Sequence, residues 1–218
     1  MDGISDLGSP FPPDFHLVLA SRSPRRHSLL RDLGIPFTAA LSEGEERSDG
    51  GSPQQIAEQN ARSKIEAVDL PSGLSLGTFI LGTDTLVVVD ERAMGKPRSA
   101  EEAASMLTRL SGRTHQVVSG VALRRSLRAG TPGGSEETRI ASASTDVTFQ
   151  PLRPRDVDAY IASGEWRGKA GAYAVQGLAA LFVSEVRGEY SNVVGLPLCL
   201  VATMFRDLGF DLLQRCWL

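Results

Sequence analysis

The chain has 218 residues, of which 41% are hydrophobic and 22% are charged, and its formal net charge is −3. This composition is typical of an ordinary globular protein with one large α/β domain or two small ones, and the slightly acidic charge argues against a general nucleic-acid or membrane surface. No apolar stretch approaches the ~20 residues of a membrane span. The two cysteines, Cys199 and Cys216, lack metal-ligand spacing and indicate a reducing compartment, so we expect a cytoplasmic protein.

The N-terminal residues are the first feature of the chain. Residues 1–15 are acidic and proline-rich and contain no apolar core of a signal peptide. We interpret them as a loosely held, flexible arm that precedes a single domain at 16–218.

A predicted strand–turn–helix unit follows the arm. Residues 17–19 are an apolar run typical of a short buried strand, and Ser23 and Pro24 suit the N-cap and the first position of a helix. The first N–H groups of a helix have no internal partner and attract anions. Arg25 and Arg26 add two permanent cations with fork geometry, so this turn predicts a phosphate site.

Helices and strands alternate in the rest of the chain, with a hairpin in the middle. No Rossmann or P-loop glycine motif occurs, so we expect a mixed, elongated α/β sheet flanked by helices, and we interpret 124–138 as a solvated hairpin loop. In chain order we predict a strand over 37–41, a helix over 53–68, a buried strand over 79–90, a helix over 99–110, antiparallel strands over 114–123 and 139–149, a helix over 154–163, a strand over 181–186 and a helix over 194–208.

Asp84 lies inside the apolar strand pattern G-T-D-T-L-V-V-V, between Thr83 and Thr85. A buried acid is costly unless it is paired or bound to a cation, so Asp84 is a candidate metal ligand or general base. The alternative is an acid at the exposed end of the strand. Glu45 and Glu46 are surface residues by default, and they could share Mg²⁺ with Asp84 only if the fold brings them close.

Three further residues are candidates on weaker grounds. Lys64 on a helix and Lys96 in M-G-K-P are surface lysines by default. The glycine-rich segment 168–177 allows close backbone approach to a ligand, and its Gln176 can both donate and accept a hydrogen bond, as a base edge requires. An ordinary mobile loop is the alternative. The three histidines show no pairing, so nucleophilic catalysis is unsupported.

Six ordered motifs together resemble the Maf proteins, which are nucleoside triphosphate pyrophosphatases. The motifs are L-A-S-R-S-P-R-R at 19–26, G-T-D-T at 82–85, G-K-P at 95–97, L-S-G-R-T-H at 110–115, K-A-G-A-Y-A-V-Q-G at 169–177 and N-V-V-G-L-P-L at 192–198. The resemblance implies a Maf and inosine-triphosphatase-like fold, with two lobes and a central cleft. It also implies a homodimer.

The resemblance implies that a nucleoside triphosphate is cut between its α- and β-phosphates, with a divalent metal cation such as Mg²⁺ or Mn²⁺. Asp84 matches the family's catalytic proton acceptor and Glu46 its loop acid, and both are candidate metal ligands. The residues that match the family's phosphate-binding positions are Ser23, Arg25, Arg26, Lys64 and Lys96.

Subtype residues narrow the expected substrate. Arg25, Thr85 and Gln176 resemble the subtype that acts on dTTP and UTP and, in a housecleaning role, on modified pyrimidine nucleotides. The subtype for 7-methylguanosine triphosphate has tryptophan, glutamine and glutamate instead. Ala174 and Trp166 depart from the family pattern around the base-binding segment.

Other functions remain alternatives at this point. The same chemistry could act on 7-methylguanosine or purine triphosphates, or the chain could be a non-catalytic nucleotide sensor linked to cell division. A nucleic-acid-binding domain is disfavoured, because the sequence has no basic stripe interleaved with aromatic residues.

Overall fold

The computed structural model describes residues 10–44, 47, 50–68, 78–126 and 137–218. The helices are α1 (Pro24–Asp32), α2 (Pro53–Glu66), α3 (Ala100–Leu110), α4 (Pro154–Ser163), α5 (Tyr190–Val194) and α6 (Leu198–Asp207). The strands are β1 (Leu17–Ala20), β2 (Thr38–Ala40), β3 (Phe79–Val89), β4 (Arg92–Met94), β5 (Thr114–Arg125), β6 (Glu137–Phe149), β7 (Val183–Arg187), β8 (Phe210–Asp211) and β9 (Cys216–Trp217).

A mixed sheet is the centre of the fold, which confirms the predicted fold class. Its strand order is β2-β1-β3-β5-β6-β7, and β4 pairs with part of β3. Strand β1 runs parallel to β2 and β3, whereas β3, β5, β6 and β7 are successively antiparallel. Strands β8 and β9 form a separate pair. Within the described part of the chain, no helix is long and apolar enough to cross a membrane.

One edge of β3 carries a gap that positions the site. Strand β1 pairs only with 79–81 of β3, and β4 pairs only with 87–89. Residues 82–86 of this edge therefore lie between two short partner strands, and Asp84 is at the middle of the gap. Because ligands of open α/β sheets bind beyond the carboxyl ends of parallel strands, the end of β1 beside this gap is a natural binding position.

Two large hydrophobic clusters form most of the core. The first includes Phe15, Leu19, Phe79, Phe205 and Phe210, and the second includes Val87, Leu107, Phe149, Tyr160 and Trp166. Alternate residues of β3 face opposite sides of the sheet. Phe79 and Leu81 pack with α6, whereas Ile80 packs with α2.

Helix α2 lies unusually close to the sheet because it crosses two glycines. A Cβ added at Gly120 would lie 2.2 Å from the carbonyl group of Ala57, and one added at Gly82 would lie 2.6 Å from the carbonyl oxygen of Ala61. Any larger residue at these positions would push α2 away from the sheet. This close approach lets side chains of α2 reach Asp84.

The structure corrects one predicted helix. The expected helix over 194–208 is two helices, α5 and α6, which are separated at 195–197. Gly195 ends α5 with φ of 120°, a conformation that favours glycine, and Pro197 is the N-cap of α6. Proline has no N–H and cannot continue the hydrogen-bond ladder of the preceding helix. The predicted strand over 181–186 begins later, at Val183, after a short 3₁₀ turn.

The predicted hairpin and arm have different outcomes. Arg124 pairs with Thr138 and Arg125 with Glu137, which confirms the hairpin but shows that its loop is shorter than the predicted 124–138. Residues 127–136 lie outside the described residues. Residues 1–9 of the expected arm also lie outside them. Residues 10–15 do not form a loose arm: Phe15 is buried, and its ring packs against Phe79 and Phe210. Burial of this aromatic surface fastens the segment to the core.

Gly120→Ala should destabilise the protein by about 3 kcal/mol or more, because the new methyl group meets the backbone of α2. Urea unfolding followed by circular dichroism measures this loss. Gly95→Ala is the matched control, since a Cβ at Gly95 meets nothing within 4 Å. Equal stability of the two variants would contradict the close packing of α2.

Candidate functional site

A cleft of about 400 Å³ opens at the gap in the edge of β3. Its lining includes the turn that follows β1, the middle of β3, the segment 167–170 and the turn that follows α5. The sequence predicted a site at the first turn and at Asp84, and the cleft brings these two together.

Asp84 is buried, with 6% of its surface exposed, and both of its carboxylate oxygens have partners. Lys64 donates from Nζ to Oδ1 over 2.6 Å, and Asn60 donates from Nδ2 to Oδ2 over 2.8 Å. Lys64 and Asn60 are one turn apart on α2, so they lie on the same face of the helix. The alternative of an acid at an exposed strand end is therefore wrong.

The Lys64–Asp84 pair is itself nearly buried, with 12% and 8% of the side chains exposed. Removing one partner of such a pair leaves an uncompensated buried charge, which is strongly destabilising. The surface interpretation of Lys64 is wrong for the same reason. The position of α2 places Lys64 in the site.

The turn after β1 is held by its arginines. Arg26 donates from Nε to the Gly195 carbonyl over 2.7 Å, from one terminal nitrogen to Ser21 Oγ over 3.1 Å, and from the other to Thr85 Oγ1 over 3.0 Å. Arg25 makes a longer contact, 3.4 Å, with the Val194 carbonyl. The arginines thus fasten the turn to the end of α5.

Ser23 is at the N-cap of α1, as predicted, but its side chain makes no capping hydrogen bond. Its backbone N–H donates to Ser21 Oγ over 3.2 Å. Ser23 lines the cleft beside Pro24. The start of α1 therefore faces the cleft, as the phosphate-site interpretation requires.

The side chains of Thr85 and Asp84 point to opposite faces of the sheet. Its hydroxyl accepts from Arg26 and lies 2.9 Å from Ser119 Oγ, which is completely buried on β5. Thr85 lines the cleft, but its described partners are Arg26, Ser119 and Gly195. Thr85 thus acts on the orientation of Arg26.

Positive charge dominates the lining of the cleft. Among the described lining residues, Asp84 is the single acid, and seven residues are basic: Arg22, Arg25, Arg26, Lys64, Lys96, Arg167 and Lys169. Burial lowers the pKa of Arg25 from its ordinary value. Burial, and then the charge of nearby Arg25, lower the pKa of Lys169. This field is suited to a ligand with several negative charges.

Two of the predicted site residues are not placed in the cleft. Glu46 lies outside the described residues, as does Glu45. Gln176 is exposed and is not among the residues that line the cleft. Lys96 does line the cleft.

Asp84 is the one carboxylate among the described lining residues that could bind a divalent cation. No group of three or more His, Cys, Asp or Glu side chains that could hold a metal occurs among the described residues. Mg²⁺, however, is commonly bound by one or two carboxylates together with phosphate oxygens and waters. Asp84, which faces a cleft built for anions, provides such a carboxylate.

Sequence reasoning missed Asn60 and Ser119, as well as three of the basic residues, Arg22, Arg167 and Lys169. Asn60 interrupts an otherwise apolar stripe of α2 that contains Ile56, Ala57, Ala61 and Ile65. A polar residue at a core-facing position of a helix could have identified Asn60 as a candidate.

A buried pair supports the wall of the cleft at Tyr173. His115 Nε2 lies 2.8 Å from the Tyr173 hydroxyl, and His115 Nδ1 has no partner among the described residues. Burial lowers the pKa of His115 to about 4. The imidazole is therefore neutral at pH 7. His115 is a buried packing residue, as expected for the histidines.

Comparison with known proteins identifies the family of the chain. The family model described as "Maf-like protein" matches residues 16–208. A protein from Symbiobacterium thermophilum named "dTTP/UTP pyrophosphatase" is 44% identical over 197 residues, which cover 90% of this chain and 95% of that protein. One from Moorella thermoacetica with the same name is 44% identical over 199 residues, covering 91% of this chain and 98% of that protein.

The chain belongs to the Maf-like family. Among solved structures, a HAM1 protein from Coxiella burnetii has a TM-score of 0.43 and 16% identity, and the match covers 88% of this chain and 99% of that one. A likeness of this size has no weight for function.

The pKa of His115 predicts a loss of stability in mild acid. The unfolded imidazole titrates near 6.5, so the unfolded chain binds the proton more readily than the folded chain. The contribution of His115 is complete above pH 6.5 and should fall by about 3 kcal/mol as the pH drops to 4. Urea unfolding at several pH values measures this change in the free energy of unfolding. His115→Gln should remove this part of the slope, and an unchanged slope would contradict a buried, neutral His115.

Proposed function

We propose that this protein hydrolyses dTTP and UTP to the nucleoside monophosphate and pyrophosphate. The observation that carries the proposal is a buried carboxylate, Asp84, held at the wall of a cleft with seven basic lining residues. A nucleoside triphosphate combines about four negative charges with a need for an activated water, and the cleft offers a partner for each. The relatives named as dTTP/UTP pyrophosphatases support the same conclusion.

Asp84 is the proposed proton acceptor. Each of its oxygens accepts one hydrogen bond from the protein, and a carboxylate oxygen can accept two. Asp84 therefore keeps acceptor capacity on both oxygens for a water in the cleft. Removal of a proton from that water prepares in-line attack on the α-phosphorus, with pyrophosphate as the leaving group.

Basic residues bind and orient the phosphates. The start of α1 lines the cleft, where a helix N-terminus favours anions, and Arg25 and Lys96 add positive charge to the lining. Lys64 has a second function, because its ammonium both fixes Asp84 and faces the cleft. Arg26 lies beside them and holds the turn in shape through Gly195 and Thr85.

Asp84 and Glu46 would hold a divalent cation, Mg²⁺ or Mn²⁺, together with phosphate oxygens. The cation would neutralise charge that develops on the phosphates. Hydrogen bonds from Lys64 and Asn60 hold the carboxylate of Asp84 in one orientation at the cleft.

Gln176 is the proposed reader of the pyrimidine. Its amide can accept from N3–H and donate to O4 of uracil or thymine, whereas glutamate can only accept. Arg25 and Thr85 complete the subtype pattern, and Thr85 contributes through its bond to Arg26. Gln176 is exposed and is not among the residues that line the cleft.

The substrate preference distinguishes the proposal from its rivals. Pyrophosphate release with dTTP, UTP, CTP, GTP and 7-methylguanosine triphosphate should be fastest for dTTP and UTP. Faster turnover of 7-methylguanosine triphosphate would reject the pyrimidine assignment. Tight binding of triphosphates without any turnover would favour the nucleotide sensor.

Asp84→Asn should lower kcat for UTP about 10²- to 10⁴-fold, the usual contribution of a general base, because an amide cannot take up the proton. Pyrophosphate release measures the rate, and circular dichroism verifies the fold. Asp90→Asn is the control, since Asp90 is exposed and pairs with Arg109 and Arg113 away from the cleft. Wild-type turnover of Asp84→Asn would remove Asp84 from the mechanism.

Gln176→Glu should lower kcat/KM for UTP about 10- to 100-fold, because the variant loses the donor to O4. Steady-state kinetics with UTP and 7-methylguanosine triphosphate measure the change in preference. Gln150→Glu, at another exposed glutamine, is the control. If Gln176→Glu has the wild-type preference, the base is recognised by other residues.

A further inference from the structure

Asn60 is a buried amide that connects the proposed catalytic acid to the segment that precedes α2. It is 1% exposed, although it lies in the apolar stripe of that helix. Its side chain makes hydrogen bonds with two parts of the chain that are far apart in sequence, Asp84 and Arg47.

The backbone of Arg47 fixes the orientation of this amide. The Arg47 N–H donates to Asn60 Oδ1 over 2.8 Å, and Asn60 Nδ2 donates to the Arg47 carbonyl over 3.0 Å. The reverse orientation would face donor to donor and acceptor to acceptor. The remaining hydrogen of Nδ2 therefore points to Asp84 Oδ2, 2.8 Å away.

Ser42 and Gly44, which precede Arg47 in the chain, also contact α2. Ser42 donates from Oγ to the Lys64 carbonyl over 2.8 Å, and it also lines the cleft. Gly44 packs so closely that an added Cβ would lie 2.8 Å from the carbonyl group of Ser63. Successive contacts at 64, 63 and 60 run toward the start of α2. Asn60 provides the last of them.

We propose that Asn60 is a positioning residue that holds Asp84 and the backbone at Arg47 in one fixed relation. Arg47 directly follows Glu46, the second proposed acid, in the chain. This inference rests on the proposed function for its effect on catalysis. The connection between Asn60 and Arg47 is testable independently of it.

The chemistry of the contact requires an amide. Aspartate at position 60 could accept from Arg47 but could not donate to its carbonyl or to Asp84, and it would place a second negative charge beside Asp84. Leucine has a similar volume and offers neither bond. Both variants break the connection, and they do so through different chemistry.

Two measurements test the proposal with Asn60→Asp and Asn60→Leu. In steady-state kinetics with UTP, kcat should fall about 10- to 100-fold while KM changes much less, because geometry is lost and phosphate contacts are kept. In limited trypsin digestion, cleavage after exposed Arg47, followed by mass spectrometry, should accelerate because its backbone is released.

Ile56→Ala is the matched control, because Ile56 is buried on the same helix and makes no contact with Asp84 through a hydrogen bond. It should lower Tm but leave kcat and cleavage after Arg47 near the wild-type values. A general loss of stability would instead affect all three variants alike.

Each outcome bears on the proposal. If both Asn60 variants are cleaved after Arg47 as slowly as the wild-type protein, Asn60 does not hold Arg47. If cleavage is faster but kcat is unchanged, Asn60 does not position Asp84 for catalysis. If wild-type protein hydrolyses neither dTTP nor UTP, the proposed function fails, while the digestion still decides whether Asn60 holds Arg47.

Discussion

The burial of the Asp84 carboxylate is the constraint on which the rest of the site depends. Burial of a carboxylate is costly unless nearby groups replace the hydrogen bonds of the water it has lost. Lys64 and Asn60 do this from one face of α2, one for each oxygen. For both to reach, α2 must approach the sheet closely, and Gly82 and Gly120 make room for its backbone. The acid, the helix and the two glycines therefore form one unit.

The cleft exists because two partner strands of β3 are short. The β1 strand ends before Asp84, and β4 begins to pair after it, so the middle of β3 borders open space. The carboxyl end of β1 leads directly into the arginine-rich turn. Adjacent residues of β3 then face opposite sides of the sheet: Asp84 meets α2, and Thr85 meets Arg26 and Ser119. Two independent networks thus support one cleft.

Much of this arrangement was predictable from the sequence, for identifiable reasons. Hydrophobic periodicity located most helices and strands, and the acid within an apolar strand identified Asp84 without knowledge of its partners. The partners themselves depend on which helix crosses which strand, and local patterns do not encode that. Asn60 could have been suspected as a polar residue in an apolar stripe. The break between α5 and α6 was signalled by Gly195 and Pro197 but was outweighed by the apolar pattern on both sides.

The most direct test of the proposed mechanism is to identify which phosphorus atom the water attacks. Hydrolysis of UTP in water enriched in heavy oxygen, followed by mass spectrometry of both products, reports that position. Because Asp84 is proposed to activate water toward the α-phosphorus, the account predicts the label in the monophosphate and unlabelled pyrophosphate. Label in the pyrophosphate would contradict it, since the water would then have attacked the β-phosphorus.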